Sequence, residues 1–487
     1  MEKWQSRTAF LLAAIGSAVG LGNIWRFPYV CYRNGGGAFL IPYFVALFTV
    51  GIPLLIAEFS VGTLFRTSAP SALRRISKKA EWVGWWSVFV AFFISIYYCT
   101  IMAWCLCYLF HSIGLVWQPD ASNFFFNIFL NQTSSPGILG NMNVQILLAL
   151  LVIWTSIYLI LYRGTKSIGK VVAITVPLPT ILLIILMLRG LTLPGAMEGL
   201  EFYLRPDFSK LTAPSVWLAA YAQIFFSIGV AQGIMIAYSS FLKKKSDITN
   251  NAFITSLADG GTAFLAGFAV FSVLGYLAYQ TGLPMEEIAR GGIGLAFITY
   301  PTAIAEMPFA ASFFGVIFFM ALLTFGIDSA FSMVESITNG IKDKFGISRK
   351  KANFIVCSAG FLLGLVLVTG GGIYWVDIMD HFMANIALVI VGLLECLTFA
   401  YVLGGEKIRR YANEVSEIHI GRWFSIMLKL FAPVVLVGIA VASVVELMTE
   451  GYEDFPAWSI VAGMLIVGAS VIASIVMARL PCRQEQS

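Results

Sequence analysis

Twelve predominantly apolar stretches follow one another along the chain, at about 8–32, 37–64, 82–112, 144–162, 167–189, 214–241, 250–279, 308–341, 351–370, 374–403, 423–447 and 456–480. A helix rises 1.5 Å per residue, so about 20 such residues cross a hydrocarbon layer about 30 Å thick. Within that layer every backbone N–H and C=O must be bonded by the protein itself, which admits only helices or a closed barrel. Barrel strands are about ten residues long and alternate apolar with polar positions; these stretches do neither. The sequence therefore predicts an all-α integral membrane protein with 12 transmembrane helices in a single domain, 1–487. Its charged fraction, 12%, is about half that of soluble chains.

Lysine and arginine set the orientation, because cytoplasmic loops carry them in excess. Of 31, 25 lie on one side: in the N-terminal tail, after segments two, four, six, eight and ten, and in the C-terminal tail, where Arg483 is the last. The other side holds Arg189, Arg205, Lys210 and Arg290, while Arg26 and Arg33 belong to segment one. Both termini are expected in the cytoplasm of a cell whose plasma membrane, on the short tails, is prokaryotic. The net charge of +5 follows from that bias and calls for no nucleic-acid partner. No cleavable signal peptide is expected, since the first apolar stretch lacks a small-residue cleavage site. The loop 112–143 has no cysteine, so no extracellular disulfide is expected. Asn131-Gln132-Thr133 fits a glycosylation acceptor but is read as a chance match.

Segment one contradicts its setting. GSAVGLGNIWRFPY, Gly16 to Tyr29, puts three glycines, an asparagine, an arginine and a proline where an uninterrupted apolar helix belongs. Glycine for close helix packing explains one such residue, but not Gly20-Leu21-Gly22-Asn23 followed by Arg26 and Pro28. Five segments later FFSIGVAQGIMIAYSSF, Phe225 to Phe241, repeats the interruption. Paired breaks at corresponding places in two halves mark a transporter site at the bilayer midplane. Backbone groups released by unwinding are costly in hydrocarbon unless they bind something. Freed carbonyls suit a hard cation, and the N-terminal end of a half-helix suits a carboxylate.

These residues resemble the signature of the neurotransmitter:sodium symporters. The likeness runs from Gly16–Tyr29 through Asn34-Gly35-Gly36-Gly37-Ala38-Phe39-Leu40-Ile41-Pro42-Tyr43, Gly51-Ile52-Pro53, Tyr97-Tyr98, Gln223 to Ser227, Asp328-Ser329 and Asp377 to Asp380. The resemblance implies two inverted five-helix repeats, 8–189 and 214–403, with discontinuous helices 1 and 6, plus two peripheral helices within 423–480. It also implies sodium-driven uptake. Sodium takes about six hard oxygen ligands, and the resemblance supplies two cages. The first is Ala18, Asn23, Ser227 and Asp259 with the substrate carboxylate; the second is Gly16, Val19, Phe325, Asp328 and Ser329. Asp328, an acid inside a membrane span, is a functional residue by default; the plainer reading is a hydrogen bond within the bundle. Asp259 stands where relatives commonly have asparagine. Chloride-dependent relatives hold their anion near Tyr43, Gln223 and Ser227; here Ala263 replaces a hydroxyl ligand and Asp259 already brings a negative charge, so no chloride requirement is expected.

Monoamine carriers of the family place an acid where this chain has Gly20, so the expected substrate is a zwitterionic amino acid that brings its own carboxylate. Tyr98 and the N–H groups near Leu21 and Gly22 are expected to bind that carboxylate. Ala18, Gly20, Ser227 and Ser329 stand around it, and Ile94, Phe226, Gln232 and Met333 line the side-chain half. Two readings of Gln232 stand open: it bonds a polar substrate side chain, or it turns onto freed backbone. Arg26 and Asp380 resemble the outer gate with Phe226 as its lid, and Asp377 is a second partner. At the inner gate Asp343 is present, but the arginine position falls on Met1, Lys3 is a substitute, and Phe241 replaces a common tyrosine. Glu58 is expected to cap freed N–H groups, and Glu395 to belong to a structural network. His111, His381 and His419 form no metal-ligand spacing and no catalytic motif is visible, so an enzyme is not expected. The mechanism implied is alternating access with two Na⁺ per substrate; a sodium-gated sensor, or a carrier of another carboxylated small molecule, is the alternative.

Overall fold

The computed structural model describes residues 3–289, 291–449 and 455–482; Met1, Arg290 and Arg483 lie outside the described residues. Among these the chain is helical, with no strand beyond an isolated bridge between Met142 and Thr369. Ten helices are long and apolar enough to cross a membrane, and a bent pair, Arg7–Ala18 with Leu21–Arg33, makes an eleventh. The pair is bent by 52°. Segment six is two helices, Pro214–Ser227 and Ile234–Ser240, neither of them long enough to span alone. Between them Gly229, Ala231 and Gly233 all take positive φ, near 68°, 60° and 67°. Left-handed backbone disfavours side chains with a Cβ, so the glycines make this break tolerable and Ala231 carries its strain.

The helices Glu81–Gly114 and Ala311–Phe345 pack along each other. Gly326 meets Met102 and Gly315 meets Ser112 at this contact, where a larger side chain would hold the pair apart. Segments eleven and twelve stand at the margin: the most apolar windows of Trp423–Thr449 and Trp458–Arg479 are 17% and 22% buried, against 83% for Lys78–Gly114. The remaining apolar surface of those two helices is left for lipid.

Two features add to the sequence reading. Segment ten, read as 374–403, ends at Gly404, where a φ of 94° breaks the helix, and a further helix, Gly405–Val415, carries Lys407, Arg409 and Arg410. The connections between the segments hold short helices of their own, Ala69–Ile76, Phe124–Phe129, Ala196–Leu204 and Tyr300–Ala305. Their aromatic residues pack inward: Tyr203 stacks on Phe271 with ring centroids 4.9 Å apart. They are too short for a hydropathy window to register.

Candidate functional site

The two breaks face each other across a cavity. Ala18, Gly20, Leu21, Gly22 and Asn23 from segment one, Phe226, Ser227 and Gln232 from segment six, Ile94 and Tyr98 from segment three, and Ser329 and Met333 from segment eight all line it. Every substrate residue named from the sequence is therefore in one place. Ser17, Gly229 and Ile234 also line it and were not foreseen; Ser17 Oγ donates to Ser332 Oγ at 2.9 Å. The approach around Gly20 is close, since a Cβ there would lie 2.9 Å from Ser329 Oγ and 3.0 Å from the Tyr98 hydroxyl. The Leu21 N–H donates to Tyr98 Oη at 3.1 Å. That N–H is thus occupied, and the tyrosine hydroxyl, accepting from it, keeps its own proton to donate. The Gly20 N–H goes to Asn23 Oδ1 at 2.9 Å.

At the cavity's edge Asp259 is fully buried and bonds two other members of the first predicted cage, Asn23 and Ser227. Its carboxylate accepts from Asn23 Nδ2 at 2.7 Å and from Ser227 Oγ at 2.9 and 2.8 Å. The Tyr43 hydroxyl approaches the neighbouring Gly260; that hydroxyl and both amide atoms of Gln223 are buried with no hydrogen-bond partner among the described residues. A second, smaller crevice is lined by Gly16, Val19, Phe325 and Asp328. A Cβ on Gly16 would stand 2.7 Å from Asp328 Oδ2, so only glycine lets the carboxylate approach this turn. Ser329 Oγ donates to Ser17 O at 3.2 Å and Gly16 O at 3.4 Å. Thr175, which the sequence reading missed, donates Oγ1 to Asp328 Oδ1 at 2.6 Å; one hydroxyl in an apolar span gives no signal before its partner is known.

Above the cavity lies a wider vestibule, about 260 Å³ against about 60 Å³, lined by Arg26, Tyr97, Phe226, Asp377 and Asp380. The expected Arg26–Asp380 contact is not made. The Arg26 guanidinium sits 4.7 Å from the centroid of the Phe226 ring and donates to Asn385 Oδ1 at 3.5 Å. Arg26 and Asp380 both face the vestibule without bonding each other. At the other end Trp4 Nε1 donates to Tyr238 O at 2.7 Å and the Trp4 N–H to Phe241 O at 3.2 Å. Asp343 accepts from Thr67 Oγ1 and the Ser68 N–H at 2.8 and 2.9 Å, and its cation is Lys342 at 3.8 Å. Lys3 does not serve it. Arg7 Nε donates to Asn251 Oδ1 at 2.8 Å instead.

Glu58 is buried and its Oε1 accepts the Ala231 N–H at 2.6 Å, within the break of segment six. Glu395, expected in a structural network, lies near Glu58, and neither of its oxygens has a hydrogen-bond partner among the described residues. Glu58→Gln keeps an acceptor for that N–H, whereas Glu58→Ala leaves it buried and unpaired at a cost of about 1–3 kcal/mol. The expected result is a melting temperature in detergent lowered for Glu58→Ala and near that of the unmodified protein for Glu58→Gln.

Comparison with known proteins bears on this arrangement. The model of the sodium:neurotransmitter symporter family matches residues 1–120 and 116–484. An uncharacterized sodium-dependent transporter of Methanocaldococcus jannaschii is 43% identical over 98% of both chains. The sodium- and chloride-dependent taurine transporter of Rattus norvegicus is 34% identical over 99% of this chain and 85% of its own. The sodium- and chloride-dependent GABA transporter 2 of Mus musculus is 34% identical over 97% and 85%.

Proposed function

The chain belongs to the sodium:neurotransmitter symporter family, a family of sodium-dependent transporters and not of enzymes, and on that premise we propose that it imports a zwitterionic amino acid with two Na⁺. The observation that carries this reading is the cavity's electrostatics: no aspartate, glutamate, lysine or arginine lines it. Gly20 leaves room beside Tyr98 for a carboxylate, which the sodium of the first cage, at Ala18, Asn23, Ser227 and Asp259, would balance. The second sodium takes Gly16, Val19, Phe325, Asp328 and Ser329. Counting the broken segment six as one gives twelve spans, with repeats at 8–189 and 214–403, peripheral helices within 423–480, and both termini cytoplasmic in the plasma membrane.

In this mechanism sodium favours the form with the vestibule open, and the substrate completes the first cage. Arg26 then leaves Phe226 for Asp380, and the site reopens inward as the contacts of Trp4 with segment six separate. Two sodium ions with a neutral zwitterion carry two charges inward, about 4.6 kcal/mol per 100 mV. Although mammalian relatives are named for chloride dependence, Asp259 supplies a fixed negative charge beside Ser227, so chloride is not needed.

Purified protein in proteoliposomes, given an inward sodium gradient and an inside-negative potential, is expected to concentrate at least one member of an amino-acid panel at equal rates in chloride and gluconate. Sodium-dependent binding without accumulation would make the protein a sensor. Several-fold stimulation by chloride would overturn the anion reading.

A further inference from the structure

Two carboxamides on the cavity wall are left unanswered by the described residues, that of Gln223, one helical turn before Ser227 of the first cage, and that of Gln232, within the break. Gln232 is 6% exposed and faces the cavity. Among the described residues it neither donates nor accepts a hydrogen bond. It has not turned onto the freed backbone beside it, and the two backbone groups of Ala231 are engaged elsewhere. The Ala231 N–H goes to Glu58 and the Ala231 carbonyl accepts from Ser87 Oγ at 3.0 Å. Its neighbours on the cavity wall, Ile94, Phe226, Ile234 and Met333, offer only hydrocarbon and a weakly accepting thioether. Opposite, Gly229 leaves open space, since a Cβ there would find nothing nearer than 3.8 Å.

An amide on an otherwise apolar wall presents two donors and an acceptor to the cavity's occupant. Resting on the amino-acid reading above, we propose that the substrate's side chain is uncharged and ends in a hydrogen-bonding group, a carboxamide or a hydroxyl, which pairs with Gln232. An aliphatic side chain of the same size would cover the amide and leave it unbonded. A charged one would be buried without a counter-ion, because no ionised residue lines this cavity. A carboxamide answers both donor and acceptor at once. Sites built to bond a substrate's N–H or O–H reject isosteres that lack it far more sharply than apolar pockets separate one methylene from another.

The test is equilibrium binding to the purified full chain in detergent, in sodium chloride and in choline chloride, using matched pairs: L-asparagine with L-leucine, L-glutamine with L-methionine, and L-threonine with L-valine. The polar member of the best-bound pair is expected to bind at least about tenfold more tightly, and only with sodium. Gln232→Met is expected to reverse that preference. Sodium-dependent binding in which the apolar member is equal or tighter overturns this inference and leaves the amino-acid reading standing. Absence of sodium-dependent binding for all six overturns both. The isostere comparison in the unmodified protein decides the matter even where Gln232→Met does not fold.

Discussion

Asp328→Asn is expected to lower sodium-driven uptake in proteoliposomes at least about hundredfold, and to remove one of two sodium ions from equilibrium ²²Na⁺ binding. The side chain is 2% exposed inside a membrane span, and an isolated buried carboxylate costs several kcal/mol. Thr175 answers one oxygen with a neutral hydroxyl, and no lysine or arginine pairs with it among the described residues. On the proposed reading, a monovalent cation held by the same carboxylate and the carbonyls of the break would supply the missing charge. Asparagine keeps the shape, the Thr175 contact and one oxygen, so it removes the charge together with one acceptor oxygen. A hundredfold loss is about 3 kcal/mol, modest beside the interaction removed. Retention of both sodium ions by Asp328→Asn would return Asp328 to the plainer role of a bundle hydrogen bond. Gly16→Ala approaches the same cage from the backbone: its methyl group would stand 2.7 Å from Asp328 Oδ2 and from Val176 Cγ2.

How much of this was visible in the sequence follows from what each signal depends on. Helix existence depends on hydropathy summed over about twenty residues, which is why the long segments were legible to within a few positions. The breaks were legible because glycine and a polar residue in an apolar run are a local anomaly. Gly16, Gly20 and Gly229 show the cause in close approach or left-handed backbone. The convergence of Asn23, Ser227 and Asp259 came from the family resemblance, since residues 236 positions apart carry no mutual signal in one sequence. What stayed hidden depends on conformation or on a partner elsewhere in the chain. Thr175 is one hydroxyl among apolar neighbours, and the separation of Arg26 from Asp380 belongs to a conformation that the sequence does not encode. The Leu21 N–H, expected free for a carboxylate, instead donates to Tyr98 Oη. The inner end was mistaken at Lys3 because proximity in sequence to Trp4 is not proximity to Asp343, which Lys342 reaches from its own helix.

Gly20→Asp is expected to abolish binding of the amino acid while sparing, or improving, that of its decarboxylated amine. In the proposed pose the substrate carboxylate lies against Tyr98 and the end of the half-helix Leu21–Trp25. A second carboxylate built on Gly20 starts 3.0 Å from the Tyr98 hydroxyl. Two negative charges about 4 Å apart repel by about 4 kcal/mol at an effective dielectric constant near 20, about a thousandfold in affinity. The sodium of the first cage screens part of this, so a loss of at least about hundredfold is the expected reading. The amine suffers no such repulsion, since the new acid pairs with its ammonium group and takes over the place of the missing carboxylate. Gly20→Ala separates charge from bulk: its methyl group crowds Ser329 Oγ at 2.9 Å, a hydroxyl that can rotate, and should cost affinity for acid and amine alike. Competition by each amino acid and its amine, measured across the three proteins in sodium, reads the difference. If Gly20→Asp weakened both ligands equally, as Gly20→Ala does, the substrate's carboxylate would have to bind elsewhere, and the first sodium cage would lose its negatively charged fifth member.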